Sequence, residues 1–136
     1  MKALLDTNVI LDALQSREPW AAAAQDIFRA AACERFTGCI TAKACTDIHY
    51  LVRRCTHSER ATREALNKLL TLFELLDTAA MDCKRVLASE TTDYEDAVMI
   101  ETALRTKMDC IVTRNERDFR GSTLPAYGPE EFLRRI

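Results

Sequence analysis

The chain is poor in the residues that loosen or cross-link a protein. It has 3 Gly and 3 Pro in 136 residues, too few for long linkers. It has no basic excess: 19 Lys and Arg stand against 21 Asp and Glu, a formal net charge of -2. The usual electrostatic footprint of a nucleic-acid binder is therefore missing. A nuclease stays open, because an acidic active site offsets a basic rim in the sum. No apolar run is long enough to span a membrane. The N-terminal run is cut by Asp6, which excludes a signal peptide there and leads us to expect a cytoplasmic protein. No CxxC occurs; Cys33, Cys39, Cys45, Cys55, Cys83 and Cys110 are irregularly spaced. They are expected to be buried free thiols of a reducing compartment rather than a zinc site or disulfide framework. Repeats and low-complexity tracts are also lacking. What is present is 48% hydrophobic and 29% charged residues, enough for a core and the composition of one domain, residues 1–136.

The pattern alternates strands with helices. Lys2-Ala3-Leu4-Leu5 is a short apolar strand that ends in Asp6-Thr7-Asn8, and a helix follows at about 7–15. A second helix is expected at about 19–33 behind Pro19, with Trp20, Ile27 and Phe28 facing inward. A strand at 36–40 precedes a helix at about 42–54 capped by Thr41, and Ser58 caps another at about 59–72. A weak strand at 74–77 and a helix at 80–89 follow. Thr91-Thr92-Asp93-Tyr94-Glu95-Asp96 opens a helix to about Lys107. Strands at 109–113 and 124–127 flank a polar loop, and a last helix begins at Pro129. The expected fold class is α/β: a short central parallel sheet of about five strands flanked by helices.

Four acidic positions stand where carboxylates do little for a core. Asp6 ends the first strand, and Asp47 borders the apolar face of its helix. Asp96 lies in a first helical turn with Asp93 three residues earlier on the same side; Glu95 is expected to point away from that side. Asp118 follows the fourth strand. In a parallel sheet Asp6 and Asp118 both lie beyond carboxyl ends of strands, where ligands bind. Carboxylates gathered this way need a cation, and all-oxygen ligands suit Mg²⁺ or Mn²⁺. Such a site commonly serves phosphoryl-ester hydrolysis, which requires neither His nor Cys.

Asp6-Thr7-Asn8, Asp93-Tyr94-Glu95-Asp96-Ala97 and Ile111-Val112-Thr113-Arg114-Asn115-Glu116-Arg117-Asp118-Phe119, in this order, resemble the motifs of the PIN domain. The set resembles in particular the small single-domain PIN proteins that include VapC-type toxins of toxin–antitoxin pairs. The resemblance covers essentially the whole chain. It implies a Mg²⁺- or Mn²⁺-dependent ribonuclease acting on an RNA substrate, a cognate antitoxin protein as partner, and a homodimer. It makes Asp6, Asp96 and Asp118 metal ligands and Asp47 the family's second acid. Thr7, Asn8, Thr113 and Asn115, with Asp93 beside Asp96, would hydrogen-bond and position those carboxylates. Two positions depart from the family pattern: Asp47 stands where Glu is usual, one methylene shorter, and Asn115 where many relatives carry Asp. RNA phosphate contacts near such a site would come from Lys43, Arg54, Arg114 and Arg117, with Arg120 beside them.

Each position also has a plainer reading. Asp6 could cap the first helix, Asp47 could pair with Lys43 one turn away, and the acids at 93–96 could serve the helix dipole. The two departures motivate a catalytically weakened PIN-like module that binds RNA or protein. A phosphatase or phospho-acceptor domain is a third reading, but Asp6-Thr7-Asn8 lacks the companion Lys or second Asp that a nucleophilic Asp needs.

Overall fold

The computed structural model describes residues 1–90 and 93–136. Thr91 and Thr92, at the head of the segment expected to open a helix, lie outside the described residues. The elements run β1 (Lys2–Leu5), α1 (Thr7–Leu14), α2 (Ala21–Ala32), β2 (Thr37–Thr41), α3 (Ala42–Thr56), α4 (Glu59–Leu72), β3 (Glu74–Leu76), α5 (Ala80–Val86), α6 (Tyr94–Arg105), β4 (Cys110–Val112), β5 (Ala126–Tyr127) and α7 (Pro129–Arg135). The strands form one parallel sheet in the order β3-β2-β1-β4-β5. The expected α/β class, with a five-stranded parallel sheet between helices, is what the chain adopts.

Strand alternation divides the core between the two faces of the sheet. Ala3 and Leu5 of β1 join Val9, Ile10, Ile27, Ile40, Ile48, Val112 and Phe132 on one face. Leu4 turns the other way, to Cys39, Ile100, Ala103, Ile111 and Phe119. The first face is covered by α1, α2, α3, α4 and α7, and α6 lies on the second. Gly38 sits at a close approach: a Cβ there would fall 2.5 Å from the Phe73 ring, which packs edge-on against Phe28.

Thr41 caps α3 through Ala44 N at 3.0 Å, and Ser58 caps α4 through Ala61 N at 3.1 Å, as their positions suggested. Three expectations need correction. Residues 18–20 form a turn before α2 starts at Ala21, so Trp20 is 42% exposed instead of buried. The polar loop after β4 carries a 3₁₀ turn at Glu116–Phe119, which plants Phe119 in the core. All six cysteines are free, yet only Cys39 and Cys110 are buried; Cys33 and Cys55 are exposed. Among the described residues no helix is long and apolar enough to cross a membrane.

Candidate active site

The chain leaves β1 for β2 and β3 on one side, then returns to place β4 on the other side of β1. The strand order therefore reverses between β1 and β4, and at such a switch point the connections diverge and leave a crevice beyond the strand ends. Both strands end there in polar residues. Leu5 pairs with Val112, and the Asp6 amide donates to the Val112 carbonyl at 2.9 Å. One residue on, Thr113 Oγ1 donates to Asp6 Oδ2 at 2.9 Å, and the Asn115 amide donates to Thr113 Oγ1 at 3.0 Å. Asp6 holds the N-cap position of α1 but makes no side-chain capping bond. Its carboxylate is thus buried and held by Thr113. Burial raises its pKa, against the Thr113 bond and the nearby Asn8 and Thr7 amides, which favour its charge.

Beyond Asp6 opens a cleft of about 410 Å³ lined by six carboxylates: Asp6, Asp47, Asp93, Glu95, Asp96 and Asp118. Thr7, Asn8, Tyr50, Leu51 and Asn115 complete its wall. Asp93 is the N-cap of α6 and accepts from the Asp96 amide at 3.0 Å, which fixes the first turn and turns Asp96 inward. Burial, then the charges of Asp93, Asp6, Asp118 and Glu95, push the Asp96 carboxyl up to about 6. These carboxylates are close enough to oppose one another's ionisation.

Lys43, in the first turn of α3, bridges two of these carboxylates. Its Nζ lies 2.6 Å from Asp47 Oδ2 on its own helix and 2.5 Å from Glu95 Oε1 on α6. Burial works against its charge, but the bonds to Asp47 and Glu95 prevail and raise its pKa. Lys43 also lines an inner recess of about 30 Å³ with Asp6, Thr41, Thr78, Glu95 and Asp96. The plain pairing of Lys43 with Asp47 and the cleft position of Asp47 therefore both occur. Glu95 does not point away, as its spacing from Asp93 and Asp96 suggested. Helical spacing alone could not show that Lys43 waits for it on another element.

The cations assigned to RNA fall into two groups. Arg117 and Arg120 are exposed and line a depression of about 390 Å³ that includes Asn115 and Asp118. Arg54 stands on the surface over the Tyr50 ring, 5.7 Å from its centroid. Arg114 lines the same depression but is also paired within the protein. Its Nη1 reaches both Asp12 carboxylate oxygens at 3.1 and 3.2 Å, and its guanidinium stacks on Trp20 at 4.0 Å. Asp12 is 1% exposed. Burial raises its pKa even against the neighbouring Arg114 and Arg17. Its signal in the sequence was an acid inside the apolar run of α1.

Among the described residues no three acidic, His or Cys side chains stand close enough to form a closed metal cage. The donor chemistry still fits a hydrated hard cation. Mg²⁺ keeps several waters and is bound through one or two carboxylates rather than a full protein cage. The inner recess is large enough for one water. Thr78 Oγ1, buried on its wall, has no hydrogen-bond partner among the described residues. Asp6, Asp96 and Asp118 are oxygen donors of the kind such an ion takes, and all three line the one cleft.

The family model described as PIN domain matches residues 2–117. No curated protein matches the chain in sequence. Among solved structures, the chain resembles the toxin–antitoxin complex from Klebsiella pneumoniae, at 24% identity and a TM-score of 0.68, over 93% of this chain and 97% of that one. It also resembles VapBC2 from Rickettsia felis bound to a DNA fragment from their promoter, at 18% identity, TM-score 0.67, and 94% and 98% coverage. A third is PAE2754 from Pyrobaculum aerophilum, at 18% identity, TM-score 0.63, covering 99% of this chain and 88% of that one.

Proposed function

The chain belongs to the PIN domain family, and on that premise we propose that it is a Mg²⁺- or Mn²⁺-dependent endoribonuclease, the toxin of a toxin–antitoxin pair. The observation that carries this reading is the convergence of Asp6, Asp96 and Asp118 on one cleft at the sheet's switch point. Burial and then the neighbouring carboxylates lift Asp96 to about 6, an environment that would favour an added cation. When bound, a divalent ion would supply positive charge for the gathered carboxylates and Lewis acidity toward a phosphodiester.

The chain's own residues do the positioning. Thr113 holds Asp6, and the Asn115 amide in turn holds Thr113. Asp93 fixes the turn that carries Asp96. Asp118 joins the cleft to the depression bearing Arg117 and Arg120, which would take the flanking phosphates of the RNA, with Arg54 on the Tyr50 side. Lys43 and Arg114 are engaged within the protein and are not counted among those contacts. An antitoxin protein, a homodimer and a cytoplasmic location belong to the same proposal. The toxin–antitoxin assemblies among the structural neighbours support the antitoxin.

A second reading, a PIN-like module with a weakened site that binds RNA or protein, draws on the open, uncaged arrangement of the acids and on Lys43 holding Asp47. One experiment separates the two. A labelled structured RNA is incubated with wild type or Asp6→Asn in Mg²⁺, Mn²⁺ or EDTA, and Mn²⁺ binding is measured alongside. Cleavage that needs the metal and disappears in Asp6→Asn supports the nuclease. Equal cleavage by both proteins, or neither cleavage nor Mn²⁺ binding, overturns it in favour of the module.

A further inference from the structure

The Lys43 bridge has no part in the proposed reaction, and its placement is specific. Both of its partners line the carboxylate cleft, and they come from different elements, Asp47 from α3 and Glu95 from α6. Lys43 also lines the recess shared by Asp6 and Asp96, and its ammonium sits on two carboxylates of the cleft to which an added cation would be drawn. The bridge is also exchangeable: the three side chains are 42%, 37% and 65% exposed, and ion pairs that wet contribute little.

We propose that Lys43 is an internal counter-cation that competes with the divalent ion for the cleft, holding Asp47 and Glu95 together and keeping both carboxylates away from the ion. The inference rests on the metal-binding reading above and names Lys43 as the residue that sets the site's affinity. Removing the ammonium frees two carboxylates and deletes a repelling charge, and both changes favour the ion. A merely structural Lys43 has the opposite signature, because losing the bridge would disorder Asp47 and weaken binding. A Lys43 that served only phosphate would leave metal affinity unchanged.

The test is calorimetric titration of Mn²⁺ into the whole protein without RNA, for wild type, Lys43→Gln, Lys43→Arg and Lys68→Gln. Lys68 is exposed on α4 and controls for net charge. Melting curves without metal establish that each variant is folded, and Lys43→Ala repeats the test should the Gln variant not fold. Lys43→Gln is expected to bind Mn²⁺ about fivefold tighter, the upper range for a half-exposed ion pair. Lys43→Arg should stay near wild type and Lys68→Gln should not move. In an Asp47→Asn background the gain from Lys43→Gln should shrink, since one arm of the bridge is already gone. Unchanged or weaker Mn²⁺ binding by Lys43→Gln overturns the proposal and leaves the nuclease reading standing. Absence of Mn²⁺ binding by both wild type and Lys43→Gln overturns the two together.

Discussion

At the C-terminal end of α6, Arg105 closes on Asp82 with two bonds of 2.8 Å, and Thr102 adds a third at 2.9 Å. At the N-terminal end of the same helix, Asp96 meets the charges of Asp93, Asp6, Asp118 and Glu95. The Arg105 fork, helped by the Ala79 amide and Thr102, holds Asp82 down to about 2 despite its burial. Burial and like charge lift Asp96 to about 6. The two ends of one helix thus meet a carboxylate of α5 whose bonding is completed within the chain and a carboxylate of α6 itself whose bonding is not. The first ties α5 to α6 and belongs to the fold. The second carries an electrostatic cost of the kind an added cation would relieve, and it lines the cleft of the proposed site.

The sharpest way to break this comparison is to neutralise one carboxylate in each setting. Asp6→Asn is expected to reduce metal-dependent RNA cleavage at least about a hundredfold. Its melting temperature without metal should hold or rise, because a buried charge among like charges is removed. Asp82→Asn is expected to do the reverse. It leaves Arg105 without its counter-charge and lowers stability by about 2–3 kcal/mol, a fall in melting temperature of roughly 10 °C. Cleavage per folded molecule should be unaffected. If Asp82→Asn melted like wild type, or Asp6→Asn melted well below it, the division between the two settings would fail.

Acid titration sharpens the comparison further. Asp82 is ionised in the unfolded chain above its ordinary value of 3.8 and in the folded chain above about 2. Its contribution is therefore complete above pH 4 and disappears as pH falls from about 4 to 2. Chemical denaturation of wild type should steepen in that window. Asp82→Asn should lose this slope, and a parallel slope in both proteins would remove Asp82 as its source.

Much of this was legible in the sequence because it is periodic or local. The alternation in Lys2–Leu5, the caps Thr41 and Ser58, and acids placed after apolar runs all show their chemistry within a few residues. The family motifs added the order in which the acids would converge. What stayed hidden depends on chain segments meeting across the fold. Arg114 has an ordinary loop sequence, and only the packing of α1 beneath it reveals Asp12 as its partner. Glu95 looked like a solvent-facing first-turn acid because the ammonium that receives it belongs to α3. Trp20 follows a helical apolar spacing, but the turn at 18–20 delays the helix and leaves the ring as a platform for Arg114.

The smallest expected effect is the most discriminating, because its sign is opposite to common experience. The folded-state value of Asp96, about 6, lies above its ordinary 3.8. Below about pH 4 the group is protonated in both states and costs nothing. Between about 4 and 6 the unfolded chain gains by releasing a proton that the folded chain retains, and above about 6 the full cost of holding a charged Asp96 is present. Asp96→Asn removes that cost. It should raise the melting temperature at pH 8 without divalent ions by a few degrees, about 1 kcal/mol once partial exposure is allowed for. The gain should vanish near pH 4. Saturating Mn²⁺ should erase the advantage from the other side, because the ion stabilises wild type and finds a poorer site in Asp96→Asn. A stabilised variant without metal that becomes the less stable protein with metal would identify Asp96 as a group held in reserve for a cation. A variant destabilised under both conditions would return Asp96 to the same class as Asp82.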